Sequence, residues 1–182
     1  MTKTMVWFML SDEQQDKFFK KFIRVDKLDM ERILPVPSRV SDSLLWKRKN
    51  WGTTENLVPI DIDFTYFTIE TDQCPSSDWF CALSEAMFNT PLTVASANAK
   101  LGTDVSFFLL ESEEFKPKVI KYPLKLACIV WGIDYIDFLS KYNDNNQHCV
   151  YAQDVKPCDE DDEGDDVLLF MEGVCEPICE DV

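Results

Sequence analysis

Trp46-Lys47-Arg48-Lys49-Asn50-Trp51-Gly52-Thr53 sets an indole directly against a glycine. A backbone kept bare by glycine lets a large ring pack across it, which suits the edge of a strand, so the stretch is a fold signal rather than a catalytic one. Toward the N-terminus lies Leu28-Asp29-Met30-Glu31-Arg32-Ile33-Leu34-Pro35-Val36-Pro37, whose alternate prolines force an extended segment. Toward the C-terminus, Ile60 to Glu70 is strand-like, and Thr71-Asp72-Gln73-Cys74-Pro75 makes a turn. Ser76 to Asn89 then places Trp79, Phe80, Leu83, Ala86 and Met87 at amphipathic helical spacing, with Ser76, Ser77 or Asp78 as cap.

Before these segments, Thr4 to Leu10 is a continuous apolar run of strand length, cut off by Ser11-Asp12-Glu13, a helix start. The helix from Ser11 to Arg24 carries Phe18, Phe19, Phe22 and Ile23 on one face, with Lys17, Lys20, Lys21 and Arg24 in the same turns. After Asn89, Leu92 to Asn98 and Val105 to Leu110 read as further strands around a turn at Lys100-Leu101-Gly102-Thr103. The order β-α-β-β-α-β predicts an α+β, ferredoxin-like sandwich with helices on one sheet face. Tyr122 to Tyr142 predicts one buried helix, bent at Gly132, that covers the free sheet face or packs beside it. Two short strands, His148 to Ala152 and Val167 to Met171, predict a hairpin with an acidic tip. The expected division is a ferredoxin-like domain over 1–114 and, packed on it, a helical segment, acidic hairpin and tail over 115–182.

The order apolar-Asp-x-x-x-Ile-x-Pro-x-Pro over Leu28 to Pro37, then Trp-x-x-x-Asn-Trp-Gly-Thr over Trp46 to Thr53, resembles the YubB-type ferredoxin-like domain of phage and plasmid proteins. The resemblance runs over about residues 4–114, through the paired strands and the Thr71 to Pro75 turn. It departs from the family at Thr54-Glu55-Asn56 and at Asp72-Gln73. It implies association with mobile elements and supplies no catalytic residues.

Charge carries the functional reading. The formal net charge is −15, and its placement is uneven: +4 over Met1 to Lys49, −7 over Trp51 to Ala99 without a single Lys or Arg, zero over Lys100 to Asn143, and −12 over Asp144 to Val182. The densest run is Asp159, Glu160, Asp161, Asp162, Glu163, Gly164, Asp165 and Asp166. Carboxylates so close repel one another and stay solvated, either as a bland loop or as an interaction surface. Phosphate binding needs Lys and Arg to displace counterions, so this balance argues against wrapping nucleic acid and for a basic partner.

Other chemistries are poorly provided for. His148 is the single histidine, and as a base it would have to act beside Cys149; an ordinary surface histidine is the plainer reading. His148, Cys149, Cys158, Cys175 and Cys179 share one stretch, but Cys175 to Cys179 is CxxxC and Cys149 to Cys158 is too long for a zinc knuckle. The acid run has glycine sixth, as a calcium loop does, yet Phe170 stands where the twelfth-position glutamate belongs. Phosphate-cradling glycine motifs are absent, and seven cysteines suit reduced thiols. Met5 to Leu10 is too short for a secretory h-region, and no run is long enough to span a bilayer.

The expectation is a protein without enzymatic activity or cofactor, located in the cytoplasm of an infected host cell. It would inhibit host defence as an anti-CRISPR or anti-restriction factor. Asp159, Glu160, Asp161, Asp162, Glu163, Asp165 and Asp166, supported by the acids from Glu55 to Glu85, would stand in for phosphates in the cationic channel of a nuclease. The alternative is an accessory nucleic-acid-binding module using the basic N-terminal helix, Trp46 to Lys49, and sheet aromatics Phe64, Tyr66 and Phe67.

Overall fold

The structure, a computed structural model, describes residues 1–112, 114–142, 152 and 175–176. Its centre is β1 (Thr2–Trp7). Val6 faces one apolar core, while Met5 and Trp7 face another, so both sides of this strand are covered. That is why its sequence runs apolar without the alternation of a half-exposed strand. β1 pairs antiparallel with β4 (Tyr66–Thr71) on one side and β5 (Leu92–Asn98) on the other.

With β2 (Lys27–Asp29), β3 (Leu57–Ile62), β6 (Ser106–Glu111) and β7 (Glu114–Pro117), these make a seven-stranded antiparallel sheet in the order β2-β3-β4-β1-β5-β6-β7. The fold is therefore α+β, and its sheet has three strands more than the four-stranded sandwich expected from the sequence. Val105 to Leu110 coincides with β6; the extra strands are β2 at one edge, β7 at the other, and one from the division of Ile60 to Glu70 into β3 and β4.

The first core includes Phe18 and Phe22 of α1 (Asp12–Phe22) and Trp79, Phe80 and Leu83 of α4 (Ser77–Ala86). Both helices begin where serine predicts. Ser11 and Gln14 form a reciprocal capping box, and Ser76 accepts from the Trp79 amide. α2 (Met30–Ile33) is capped by Asp29 and α3 (Ser43–Trp51) by Asp42.

Trp51 is not at a strand edge. It is the last residue of α3, fully buried, donating from Nε1 to the Leu34 carbonyl at 2.9 Å and packed edge-to-face on Trp46. The glycine acts on the helix, not on the ring. Gly52 ends α3 in the left-handed region at φ 72°, and a Cβ there would lie 2.0 Å from the Gln73 carbonyl oxygen. The strand-like run Ile60 to Glu70 resolves into β3, a turn at Phe64-Thr65, and β4.

The second core lies on the opposite face, under α5 (Pro123–Trp131). Leu126, Ala127, Cys128 and Val130 pack with Met5, Trp7, Ala95, Ala97 and Phe107. The small Ala95 and Ala97 side chains let the helix approach the sheet closely. The single bent helix expected over Tyr122 to Tyr142 is two. Gly132 adopts φ 67° and the Ile133 amide bonds back to the Cys128 carbonyl, closing α5, and α6 (Tyr135–Tyr142) restarts after Asp134 accepts from the Asp137 amide. Ala152 belongs to this core and donates its N–H to Ala99 O at 2.7 Å. A two-stranded ladder joins β8 (Val119–Ile120) to β9 (Cys175–Glu176). Among the described residues no helix is long and apolar enough to cross a membrane.

Candidate acidic partner surface

The acid run Asp159, Glu160, Asp161, Asp162, Glu163, Asp165 and Asp166 lies outside the described residues, as do His148, Cys149, Cys158, Cys179 and the expected strand Val167 to Met171. Of the other expected strand, His148 to Ala152, only Ala152 is described. The chain positions on either side of the run that are described, Ala152 and β9, both contact the body of the fold, at Ala99 and at β8.

The second set of acids is described. Glu55, Asp61, Asp63, Glu70, Asp72, Asp78 and Glu85 enter no ion pair within the described structure. Three of them share one part of the sheet. α5 packs on β1 and β5, and on the same face the exposed Asp61 of β3 lies opposite the buried Thr68 of β4 and the exposed Glu70 of β4 lies beside Lys3. Lys3 in turn sits over the Trp131 ring at 5.8 Å. One row further along, Asp63 donates its amide to the Tyr66 carbonyl at 2.8 Å.

Tyr66 reports the local field. Its phenol is pushed above its ordinary value, first by burial against Trp7 and then by the charges of Asp63 and Asp61, with a hydrogen bond to Asp63 adding to the effect. Among the described residues neither carboxylate enters an ion pair.

The basic residues behave oppositely. Lys17 pairs with Glu13 at 2.6 Å and Lys20 with Asp16 at 2.8 Å, both one helical turn apart. Arg24 and Arg32 converge on the nearly buried Asp29 at 3.1 and 3.5 Å, and Arg32 also donates to the Lys21 carbonyl. Lys47 lies over Trp51 and donates to Asn56. Four of the eleven basic residues from Met1 to Lys49 are thus paired with carboxylates of the chain, while Lys21, Lys27, Arg39, Arg48 and Lys49 are exposed and enter no ion pair within the described structure.

The sheet aromatics do not form a stacking platform. Phe67 is 0% exposed in the first core, Tyr66 is half-buried against Trp7, and Phe64 stands on the turn rather than on the sheet face. Sequence spacing alone could not separate these three, because Phe67 is assigned to the core by the register Val6 to Phe67.

Little in the described chain suggests covalent chemistry. The Cys74 thiol is pushed up by burial, only partly offset by its hydrogen bond to Ser96, which makes it a poor nucleophile. An open depression of about 420 Å³ is lined by Cys81, Ser84, Glu85, Asn89, Leu110 and Ser112, and no histidine is among them. Among the described residues no group of His, Cys, Asp and Glu could hold a metal ion.

What sequence reasoning missed is the grouping of Asp61, Asp63 and Tyr66. The signal was the alternation Ile60-Asp61-Ile62-Asp63, which puts both acids on one strand face once the run is recognised as half of a hairpin. Compared with protein-family models, curated proteins and solved structures, the chain matches none of them.

Proposed function

We propose that the protein is a non-catalytic binding protein that docks its acidic surface into a cationic nucleic-acid channel, inhibiting a host CRISPR-Cas or restriction nuclease. The observation that carries this reading is the asymmetry of charge pairing. Lys17, Lys20, Arg24 and Arg32 are met by carboxylates of the same chain, whereas the seven acids from Glu55 to Glu85 enter no ion pair within the described structure, Glu70 alone lying opposite a cation, Lys3, in the sheet register. A surface of unpaired carboxylates repels phosphate and attracts Lys and Arg, and such attraction speeds encounter as well as selecting the partner. The run from Asp159 to Asp166 adds the densest charge in the sequence. Within the seven-stranded sheet, the central order β3-β4-β1-β5 with α1 and α4 on one face is consistent with a ferredoxin-like core of the YubB type. Cytoplasm of an infected cell is the matching location.

The test has two stages. A pulldown from cells carrying defence systems, repeated at moderate salt, identifies the nuclease. Asp159, Asp161, Asp162, Asp165 and Asp166 are then replaced by Asn and Ser, and inhibition is measured across salt concentrations. Weaker inhibition with a shallower salt dependence is expected; unchanged potency with an unchanged slope removes the run as the contact. Nanomolar binding of generic DNA or RNA by the isolated protein would instead favour the accessory-module alternative, with Arg48 and Lys49 as its exposed cations.

A further inference from the structure

The outer edge of β3 is covered by β2 only from Leu57 to Pro59. Ile60 turns its N–H outward to the Asp26 carbonyl at 3.3 Å, while Asp63 turns its N–H inward to Tyr66. Backbone groups alternate direction along a strand, so the N–H and C=O of Ile62 point outward with the C=O of Ile60. Among the described residues no strand pairs with this end of the edge.

Such an edge is a template for another strand, and its side chains state which one. Asp61 and Asp63 lie on one face and Ile62, 37% exposed, on the other. At the ends stand two apolar turn residues, Val25 at 92% and Phe64 at 79% exposed, next to Asp26 and Asp63 respectively. A second copy is a poor occupant, because antiparallel self-pairing would set Asp61 and Asp63 against the same two carboxylates. A strand with Lys or Arg at alternate positions and aliphatic residues between them satisfies both faces.

We propose that the Ile60 to Phe64 edge receives a basic extended segment of a partner protein by strand addition, with cations over Asp61 and Asp63 and an aliphatic side chain against Ile62. This contact does not depend on the acid run or on the identity of any nuclease. It makes the hairpin a second, sequence-selective docking point.

The probe is the peptide acetyl-Lys-Val-Lys-Val-Lys-amide, titrated into the full-length nitrogen-15-labelled protein. Expected are amide shifts centred on Ile60 to Phe64 and slowed solvent exchange of the Ile62 amide. A peptide with Glu in place of Lys should give none of these. Asp61→Asn with Asp63→Asn should weaken binding by about tenfold, as the loss of two charge pairs requires. Ile62→Pro should abolish binding while leaving the other resonances in place, since its N–H is not used toward β4. Should that variant fail to fold, N-methylation of both valines removes the backbone donors of the peptide that would face Ile62 and should also abolish binding. No shift at millimolar peptide, shifts spread over other acidic residues, or equal binding by Ile62→Pro or by the N-methylated peptide each overturn the proposal.

Discussion

Replacing Gly52 by alanine should be among the most damaging single-methyl additions available to this chain. Two effects add. At φ 72° an L side chain is strained whatever its surroundings, by roughly 1–2 kcal/mol. The new Cβ also lands 2.0 Å from the Gln73 oxygen and 2.9 Å from its carbonyl carbon, both backbone atoms, so one loop must move by about 1.5 Å to restore ordinary contact.

That loop is tied down. The Gln73 amide bonds to the Gly52 carbonyl at 2.8 Å and the Ser76 amide to the Asn50 carbonyl at 2.9 Å, and Ser76 is the cap of α4. Moving it weakens hydrogen bonds worth about 0.5–1.5 kcal/mol each and a cap worth about 1 kcal/mol. The expected total is about 3–5 kcal/mol, or a fall in Tm of roughly 10 °C for a chain of this size.

Gly132→Ala is the matched control. Gly132 also closes a helix at positive φ, 67°, but a Cβ there meets nothing within 4 Å. Only the conformational strain remains, partly offset by the lower entropy of the unfolded alanine chain, so the cost should be about 1 kcal/mol. Urea denaturation of both variants measures the difference directly. Values within about 1 kcal/mol of each other would refute the steric argument, because backbone strain is common to both sites.

Three further outcomes are expected. Val25 and Asp26 form the two-residue turn between Arg24 and Lys27 at φ 49° and 57°, a conformation that a β-branched residue resists, so Val25→Asn should stabilise by about 1 kcal/mol in thermal or urea unfolding. Tyr66 should ionise above its ordinary value in an ultraviolet titration, and Asp61→Asn with Asp63→Asn should move it only part of the way back, because burial is the larger cause. Since the folded phenol holds its proton more tightly than the unfolded one, its contribution to stability is complete below about pH 10 and is lost as pH rises through the folded value. Leu126→Ala, at a fully buried position of α5, should cost about 2–5 kcal/mol and show that the second core carries real stability.

Much of the fold was legible where local signals and burial agree. The unbroken apolar run at Thr4 to Leu10 marked a strand, Ser11 and Ser76 marked helix starts, and Leu92 to Asn98 coincides with β5. α3 escaped because it shows no apolar stripe: Leu44 and Leu45 are exposed at its start and Trp51 is buried at its end, so its signals were the Asp42 cap and Gly52, the latter assigned to packing instead. The β3–β4 turn escaped because Phe64-Thr65 lacks the glycine or asparagine that usually announces one. β7 owes its place to pairing with β6, which no local pattern encodes. For the candidate surface, the absence of basic residues between Trp51 and Ala99 was visible at once, but which acids stand together follows from strand register, and which lysines are already engaged follows from packing.

The strand at the middle of the sheet has a cost during synthesis. Thr2 must find Thr71 on one side and Asn98 on the other. Translation at about 5–20 residues per second leaves Met5-Val6-Trp7-Phe8-Met9-Leu10 waiting roughly several seconds for those neighbours. Over that interval the nascent chain presents a sticky hexamer suited to chaperone capture, and its yield in a producing cell should respond to chaperone supply more than its equilibrium stability would suggest.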